Sequence, residues 1–129
     1  MLNIDPLISR LEALSEPSRN IDGHIAGLLG FKRRTVQEAD PRTGETKVRE
    51  VWALPTGEAP AIVPSYTANL DAAFELIRTV APEAAFGCTW HRGFGRASIL
   101  GSVSVQAATP AIALCIAALK HVQSRQSNA

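Results

Sequence analysis

The segment from Thr109 to Val122, which reads TPAIALCIAALKHV, most strongly constrains how this chain folds. Thr109 followed by Pro110 is typical of a helix start, because threonine caps free amide groups and proline fits the first helical position. Apolar side chains then recur at the spacing of one helical face, at Ile112, Cys115, Ile116, Leu119 and Val122. The sequence therefore predicts a packing helix that carries no catalytic motif.

Length and composition indicate one globular domain over residues 1–129. A chain of this size buries roughly two-thirds of its unfolded surface, which is enough for an independent core. Hydrophobic residues make up 46% and aromatic residues only 5%, so we expect a mainly aliphatic core. An N-terminal helix is predicted within residues 1–18 and a flexible tail over residues 124–129.

Three helices are predicted before the one at Thr109. The first begins at Asp5 as cap with Pro6 following, and the second follows Asn20 and ends at Gly30, a residue suited to the left-handed conformation. The third lies in SYTANLDAAFELI, where either Thr67 or Asn69 is the cap.

Two hairpins are predicted between these helices. The first joins strands over residues 31–37 and 47–54 through a long tip, and residues 55–64 follow as an irregular connection that pairs poorly. The second joins residues 86–91 to 96–103 by a turn over residues 92–95. The order helices, hairpin, helix, hairpin, helix favours an α+β layered sandwich, in which an antiparallel sheet of two hairpins is covered by helices.

Signals for catalysis or metal binding are weak. Cys88 and Cys115 lack metal-ligand spacing and are expected as reduced, buried thiols. Along one strand Phe86, Cys88 and Trp90 share a face and are expected in the core, with His91 on the other face. We therefore expect no enzymatic activity, no metal and no cofactor. Without a leader or an apolar run of about 20 residues, we expect a cytoplasmic protein with no membrane partner.

The sequence HRGFGR suggests a ligand site. Glycines on both sides of Phe94 are expected to leave its ring exposed at a tight turn, with His91 beside it. Arg92 and Arg96 flank the ring with guanidinium groups that suit phosphates and stack on rings. In the alternative, Phe94 folds back onto its own sheet and the two arginines only solvate the hairpin.

A second basic cluster, Lys32 with Arg33 and Arg34, begins the first predicted strand, where alternation is expected to place Lys32 and Arg34 on one face and Arg33 on the other. It is interpreted either as a rim that binds phosphate or as a solvated edge that resists unwanted strand pairing. Acidic residues nearby reduce its field, which disfavours duplex DNA as a partner and favours a small anionic ligand.

Three segments, IDGHIAGLLGF, SYTANLDAAFELI and ATPAIALCIAALKHV, resemble the phage ABA sandwich domain family from Ile21 onward. This resemblance implies an α/β/α sandwich encoded by a phage or prophage. The chain is also distantly similar to viral anti-Thoeris proteins, which sequester cyclic ADP-ribose isomers or cyclic oligonucleotides without cleaving them. That similarity implies a non-enzymatic nucleotide sponge in the cytoplasm of a bacterial host, although no binding motif of those proteins matches residue by residue.

The leading hypothesis is therefore sequestration of a nucleotide immune signal. Phe94 would stack on the base, and positive side chains near it, at Arg92, Arg96, Arg33 or Arg34, would neutralise phosphate. Because a small domain has few deep pockets, we expect the site between subunits of a homo-oligomer. The alternatives are a phage accessory module with a structural or protein-interaction role, and a weak nucleic-acid binder.

Overall fold

A computed structural model describes residues 4–54 and 60–127 of the chain. The helices in this part are α1 (Asp5–Glu12), α2 (Arg19–Leu28), α3 (Leu70–Val80) and α4 (Pro110–Ser127). The strands are β1 (Lys32–Ala39), β2 (Thr46–Ala53), β3 (Pro60–Ala61), β4 (Phe86–His91), β5 (Phe94–Ile99) and β6 (Val103–Ala107). The chain divides into two compact units, the first formed by Met1–Asp22 with Ser65–Ala129 and the second by Gly23–Pro64.

The predicted α+β class is confirmed. The strands form two antiparallel sheets, ordered β1-β2-β3 in the second unit and β4-β5-β6 in the first. In the first unit α4 packs against all three strands and against α1 and α3. The prediction of a single sheet made of two hairpins was wrong, because each hairpin instead gains a third strand and forms its own sheet.

The helix ends follow the predicted capping chemistry closely. The Thr109 hydroxyl accepts a hydrogen bond from the Ile112 amide at 3.1 Å. Asn69 is the cap of α3, since its side chain accepts from two amides of the first turn. Gly30 has φ 96°, and the Phe31 amide donates to the Ala26 carbonyl at 3.0 Å, which closes α2 by a Schellman motif.

Both termini differ from the prediction. In α1 Ile4 is the cap and Asp5 is the first helical residue, where its charge suits the helix dipole, and the helix ends at Glu12. At the other end α4 continues to Ser127, so residues 124–127 of the predicted tail are helical, and residues 128–129 lie outside the described residues. The helix continues because no glycine or proline follows Pro110 to end it. Its last turns also contact α1, since the Gln123 side chain donates a hydrogen bond to the Asp5 carboxylate.

The core of the first unit surrounds α4. All nine residues from Ala111 to Leu119 are buried, and Ile112, Ala113, Leu114 and Cys115 are fully so. A helix that is apolar on every side is a central helix, because it needs neighbours all round. No helix of the described residues is long and apolar enough to cross a membrane.

The third strand of each sheet escaped prediction. Gly101 has φ 76°, and the chain reverses there between β5 and β6. Leu100 in this turn is 80% exposed. Because leucine is not a typical turn residue, the sequence pattern predicted one continuous strand over residues 96–103. In the other sheet Pro60–Ala61 pairs with Trp52 and Ala53, although this stretch was predicted to pair poorly. Proline is tolerated there because β3 is an edge strand. The rest of the predicted connection, residues 55–59, lies outside the described residues.

Candidate functional site

The turn between β4 and β5 contains two residues rather than the four predicted. Arg92 and Gly93 both have positive φ, 50° and 86°, as in a type I′ hairpin turn. Phe94 is therefore already in β5 and lies directly opposite His91. Because paired residues of an antiparallel ladder share a face, these two rings lie on the same side of the sheet.

Gly95 determines which side that is. A Cβ atom built on Gly95 would lie 2.2 Å from the backbone nitrogen of Pro110, so Gly95 faces the start of α4. Side chains alternate along a strand, and Phe94 and Arg96 consequently face away from the helices. Arg96 lies opposite Thr89 on one side and Gln106 on the other.

The resulting Phe94 patch consists of His91, Phe94 and Arg96, with Thr89 and Gln106 beside Arg96. The Arg96 guanidinium carbon is 5.7 Å from the centre of the Phe94 ring, and the His91 ring meets it edge-on at 6.3 Å. Phe94 itself is half-buried, so the prediction of a ring held free in water was wrong. These flanking groups cover part of it because Phe94 lies in a strand and not in the turn.

The electrostatics of this patch favour an anion. Strands β4, β5 and β6 contain no Asp or Glu. Within the described residues neither Arg92 nor Arg96 makes an ion pair. Arg96 and the adjacent Thr89 and Gln106 are all exposed and all carry hydrogen-bond donors. The face can therefore hold a phosphate or carboxylate next to an aromatic ring.

Arg92 occupies a strained position. Its φ of 50° lies in the left-handed region, which costs a residue with a Cβ atom about 1–2 kcal/mol. Asn, Asp and Gly are the usual residues there. Strained residues cluster at functional sites, and Arg92 adds an exposed positive charge to the end of the patch.

Trp90 is an aromatic residue that the sequence analysis placed wrongly. It was expected in the core with Phe86 and Cys88, yet 58% of it is exposed. Phe86 packs edge-to-face on Phe74 at 5.4 Å, whereas Trp90 lies opposite Gly95 near the hairpin tip. The signal was present in the sequence, since a two-residue turn at Arg92 places Trp90 across from a glycine that offers no side chain to pack on.

Arg33 and Arg34 belong to the second unit and are not part of the Phe94 patch. Arg33 stacks on Trp52 at 5.0 Å and pairs with Glu50 at 3.4 Å, so its charge is already partnered. Arg34 lies on the other face of β1, as the predicted alternation requires, and its partner on β2 is Val51.

A buried carboxylate lies elsewhere in the first unit, and the sequence analysis did not identify it. Asp22 is fully buried, and one of its oxygens accepts from both the amide and the hydroxyl of Thr67, each at 2.9 Å. Its other oxygen lies 3.0 Å from an Arg19 guanidinium nitrogen. With both oxygens engaged, Asp22 fastens the start of α2 to the turn before α3 and is not free for acid–base chemistry.

The buried cysteine nearby is unreactive. The Cys115 thiol donates to the Tyr66 carbonyl at 3.3 Å. Burial, with a smaller contribution from the Asp22 charge, raises the pKa of the Cys115 thiol. Burial also raises the pKa of Tyr66 to about 12, and the Cys115 and Asp22 charges add to that shift. Cys115 thus stays protonated and is a packing residue, as predicted. Neither cysteine forms a disulfide, and Cys88 is half-buried, so the prediction of a buried thiol was wrong for that residue.

The described residues include a serine–histidine contact. The Ser102 hydroxyl is 3.1 Å from Nδ1 of His121. A catalytic pair needs a third group to orient the imidazole, and Nε2 of His121 is buried with no hydrogen-bond partner among the described residues. The described residues also contain no group of three or more His, Cys, Asp or Glu side chains that could hold a metal ion.

The chain matches no protein-family model, no curated protein and no solved structure. The resemblance to the phage ABA sandwich domain family therefore stays a hypothesis. The Phe94 patch is the feature of the molecule that bears on function.

Proposed function

We propose that this protein binds a small nucleotide reversibly at the Phe94 patch and holds it without cleaving it. In this proposal the ligand is a signal molecule such as a cyclic ADP-ribose isomer or a cyclic oligonucleotide. The resemblance to phage proteins suggests that such binding withdraws an immune signal in an infected bacterial cell.

One observation carries the proposal: the Arg96 guanidinium lies over the Phe94 ring without a carboxylate partner in the described residues. A second arginine–aromatic pair among the described residues provides the contrast. Arg33 on Trp52 also contacts Glu50, which satisfies its charge within the fold. The Arg96 charge is left for an external anion, and an arginine–phosphate contact is a strong, charge-assisted one.

Each side chain of the patch has a role in this proposal. Phe94 stacks on the base, a contact worth about 1–3 kcal/mol. Arg96 and Arg92 bind phosphate oxygens, and Thr89 and Gln106 offer hydrogen bonds to the sugar. His91 supports the Phe94 ring from its edge. The patch has no carboxylate or thiol side chain, and the imidazole of His91, its one side chain suited to acid–base chemistry, is assigned here to the Phe94 ring.

The proposal is tested by calorimetric titration with cyclic ADP-ribose, a cyclic dinucleotide and AMP, each followed by chromatographic recovery of the ligand. We expect saturable binding of at least one nucleotide and its recovery intact. Conversion of the nucleotide to a product would show an enzyme instead. Absence of binding to all three would remove the support for a nucleotide sponge.

The weak nucleic-acid binder is the alternative that the same geometry allows, since a half-buried aromatic ring beside arginines on the open face of a sheet also suits single-stranded bases. Titration with a single-stranded oligonucleotide separates the two. Affinity that rises with oligonucleotide length and falls steeply with salt indicates nucleic acid. Affinity limited to one small nucleotide indicates the sponge.

A further inference from the structure

The outer edge of β1 is open. In the part of the chain that the structure describes, β1 has a hydrogen-bonded neighbour on one side only, namely β2. The Asp40 amide donates to the Glu45 carbonyl at 2.8 Å, in line with the β1–β2 register. Backbone groups alternate in direction along a strand, so the even-numbered residues of β1 point their amides and carbonyls at β2. The odd-numbered residues point theirs outward.

Those outward-pointing residues are all exposed. They are Arg33, Thr35, Gln37 and Ala39. An edge of this kind accepts another strand, because its unpaired amides and carbonyls form a ready ladder. Charged side chains commonly protect such an edge, and here their order along the strand matters more than their number.

The charges of β1 and of Asp40, which follows it, change sign about Val36. Lys32 and Arg34 precede it, whereas Glu38 and Asp40 follow it at matching distances. If a second copy of β1 aligned antiparallel with Val36 opposite Val36, Lys32 would face Asp40 and Arg34 would face Glu38. Two-fold symmetry repeats both contacts, so the register brings four opposite-charge pairs together and no like-charge pair.

Neighbouring antiparallel registers are less favourable. The nearest other registers are those that keep odd-numbered residues opposite odd-numbered residues, as the backbone ladder requires. The shift in one direction leaves only Lys32 opposite Glu38, and the shift in the other direction leaves only Arg34 opposite Asp40. A parallel alignment in register would place each charge against its own copy. The charge order therefore selects one antiparallel register.

The backbone agrees with this register. The facing pairs would be even-numbered residues, whose amides and carbonyls are already used by β2, while the odd-numbered residues would exchange the new hydrogen bonds. Non-hydrogen-bonded pairs have the closer side chains, with about 4.5 Å between Cα atoms. Glu38 already contacts Arg49 of its own hairpin at 2.8 Å through one oxygen, so its other oxygen is left for an arginine of the second copy.

We infer that two copies of this chain pair through β1 about a two-fold axis at Val36, joining two three-stranded sheets into one of six strands. The occupant of the edge is a second copy because the charge pattern is complementary to itself. This surface belongs to the second unit and does not depend on nucleotide binding at the Phe94 patch.

Charge reversal tests this inference by light scattering after gel filtration. The wild-type protein is expected at twice the chain mass of 13.8 kDa. Arg34→Glu places like charges opposite each other twice, so we expect the monomer mass. Arg42→Glu is the matched control, since it makes the same charge change outside β1 and should leave the dimer intact.

A mixture of two charge-reversal variants tests the proposed register most directly. Glu38→Arg alone is also expected to be monomeric, although it loses its own contact with Arg49 as well. When the Arg34→Glu and Glu38→Arg proteins are mixed in equal amounts, residue 34 of each copy faces residue 38 of the other with the opposite charge. The dimer mass should therefore return. A wild-type monomer would overturn the inference, and so would a mixture that stays monomeric while circular dichroism shows both variants folded.

Discussion

Gly95 lies against the backbone of Pro110 so closely that no side chain fits between them. A Cβ atom at Gly95 would be 2.2 Å from the Pro110 nitrogen and 2.4 Å from the Thr109 carbonyl carbon. This close contact holds β5 against the start of α4, and it turns the neighbouring Phe94 and Arg96 to the open face. The glycine after Phe94 thus orients the patch by packing and does not supply turn flexibility.

Gly95→Ala is expected to destabilise the protein by about 1–3 kcal/mol or more, because the clash is with backbone that cannot move aside. Urea unfolding measures the loss. Gly87→Ala is the matched control, since a Cβ atom at Gly87 on β4 meets nothing within 4 Å. Equal stability of the two variants would contradict the close approach.

Asp22→Ala is expected to cost about 2–4 kcal/mol of unfolding free energy, because it leaves the buried amide of Thr67 without an acceptor and leaves the Thr67 hydroxyl with only the Ser18 carbonyl, at 3.2 Å. Asp22→Asn keeps one acceptor oxygen and should cost less. Asp71→Asn, an exposed change in the first turn of α3, is the control and should cost under about 1 kcal/mol. Thermal or urea unfolding gives the order of stability of the three variants. If Asp22→Ala lost no more unfolding free energy than Asp71→Asn, the buried carboxylate would be dispensable.

Arg92→Asn should move stability and binding in opposite directions. Asparagine tolerates the left-handed conformation of this turn, so the unfolding free energy should rise by about 0.5–1 kcal/mol. Nucleotide affinity should fall, because a phosphate contact is removed. A variant that is more stable and binds equally well would leave Arg92 with no role in the site.

Stability should decline at alkaline pH. The folded state holds the pKa of Tyr66 and of Cys115 above their ordinary values of 10.0 and 9.0. The unfolded chain therefore releases protons first as pH rises, which favours unfolding. Unfolding free energies should be level between about pH 7 and 8 and fall above about pH 9. Cys115→Ala should start from a lower value and show a shallower decline, and an identical slope in both proteins would contradict the role of the thiol.

The sequence predicts the helices of this fold better than its strands. Capping residues act locally, so Thr109, Asn69 and Gly30 reveal helix ends without any tertiary information. The strand β3 has no such signal, since a proline-containing pair of residues joins an edge only because Trp52 and Ala53 are already in place. The split into two sheets likewise depends on which strands meet, a property that local patterns do not encode.

The candidate site was predicted in part. Alternation along the strand correctly separates Arg33 from Arg34, and the hairpin does bring His91, Phe94 and Arg96 together. The exposure of Trp90 and the burial of Asp22 were not foreseen. The burial of Asp22 depends on a partner distant in sequence, because Thr67 donates two hydrogen bonds to it. The exposure of Trp90 follows instead from the two-residue turn at Arg92, which was predicted with four residues.

Calorimetric titration of cyclic ADP-ribose into wild-type protein and into Phe94→Ala tests the central claim most directly. Loss of a stacked base costs about 1–3 kcal/mol, so affinity should fall roughly 5- to 150-fold while the circular dichroism spectrum is unchanged. Arg125→Ala, an exposed charge change in the last turn of α4, should bind as the wild type does. An unchanged affinity in folded Phe94→Ala would contradict the account.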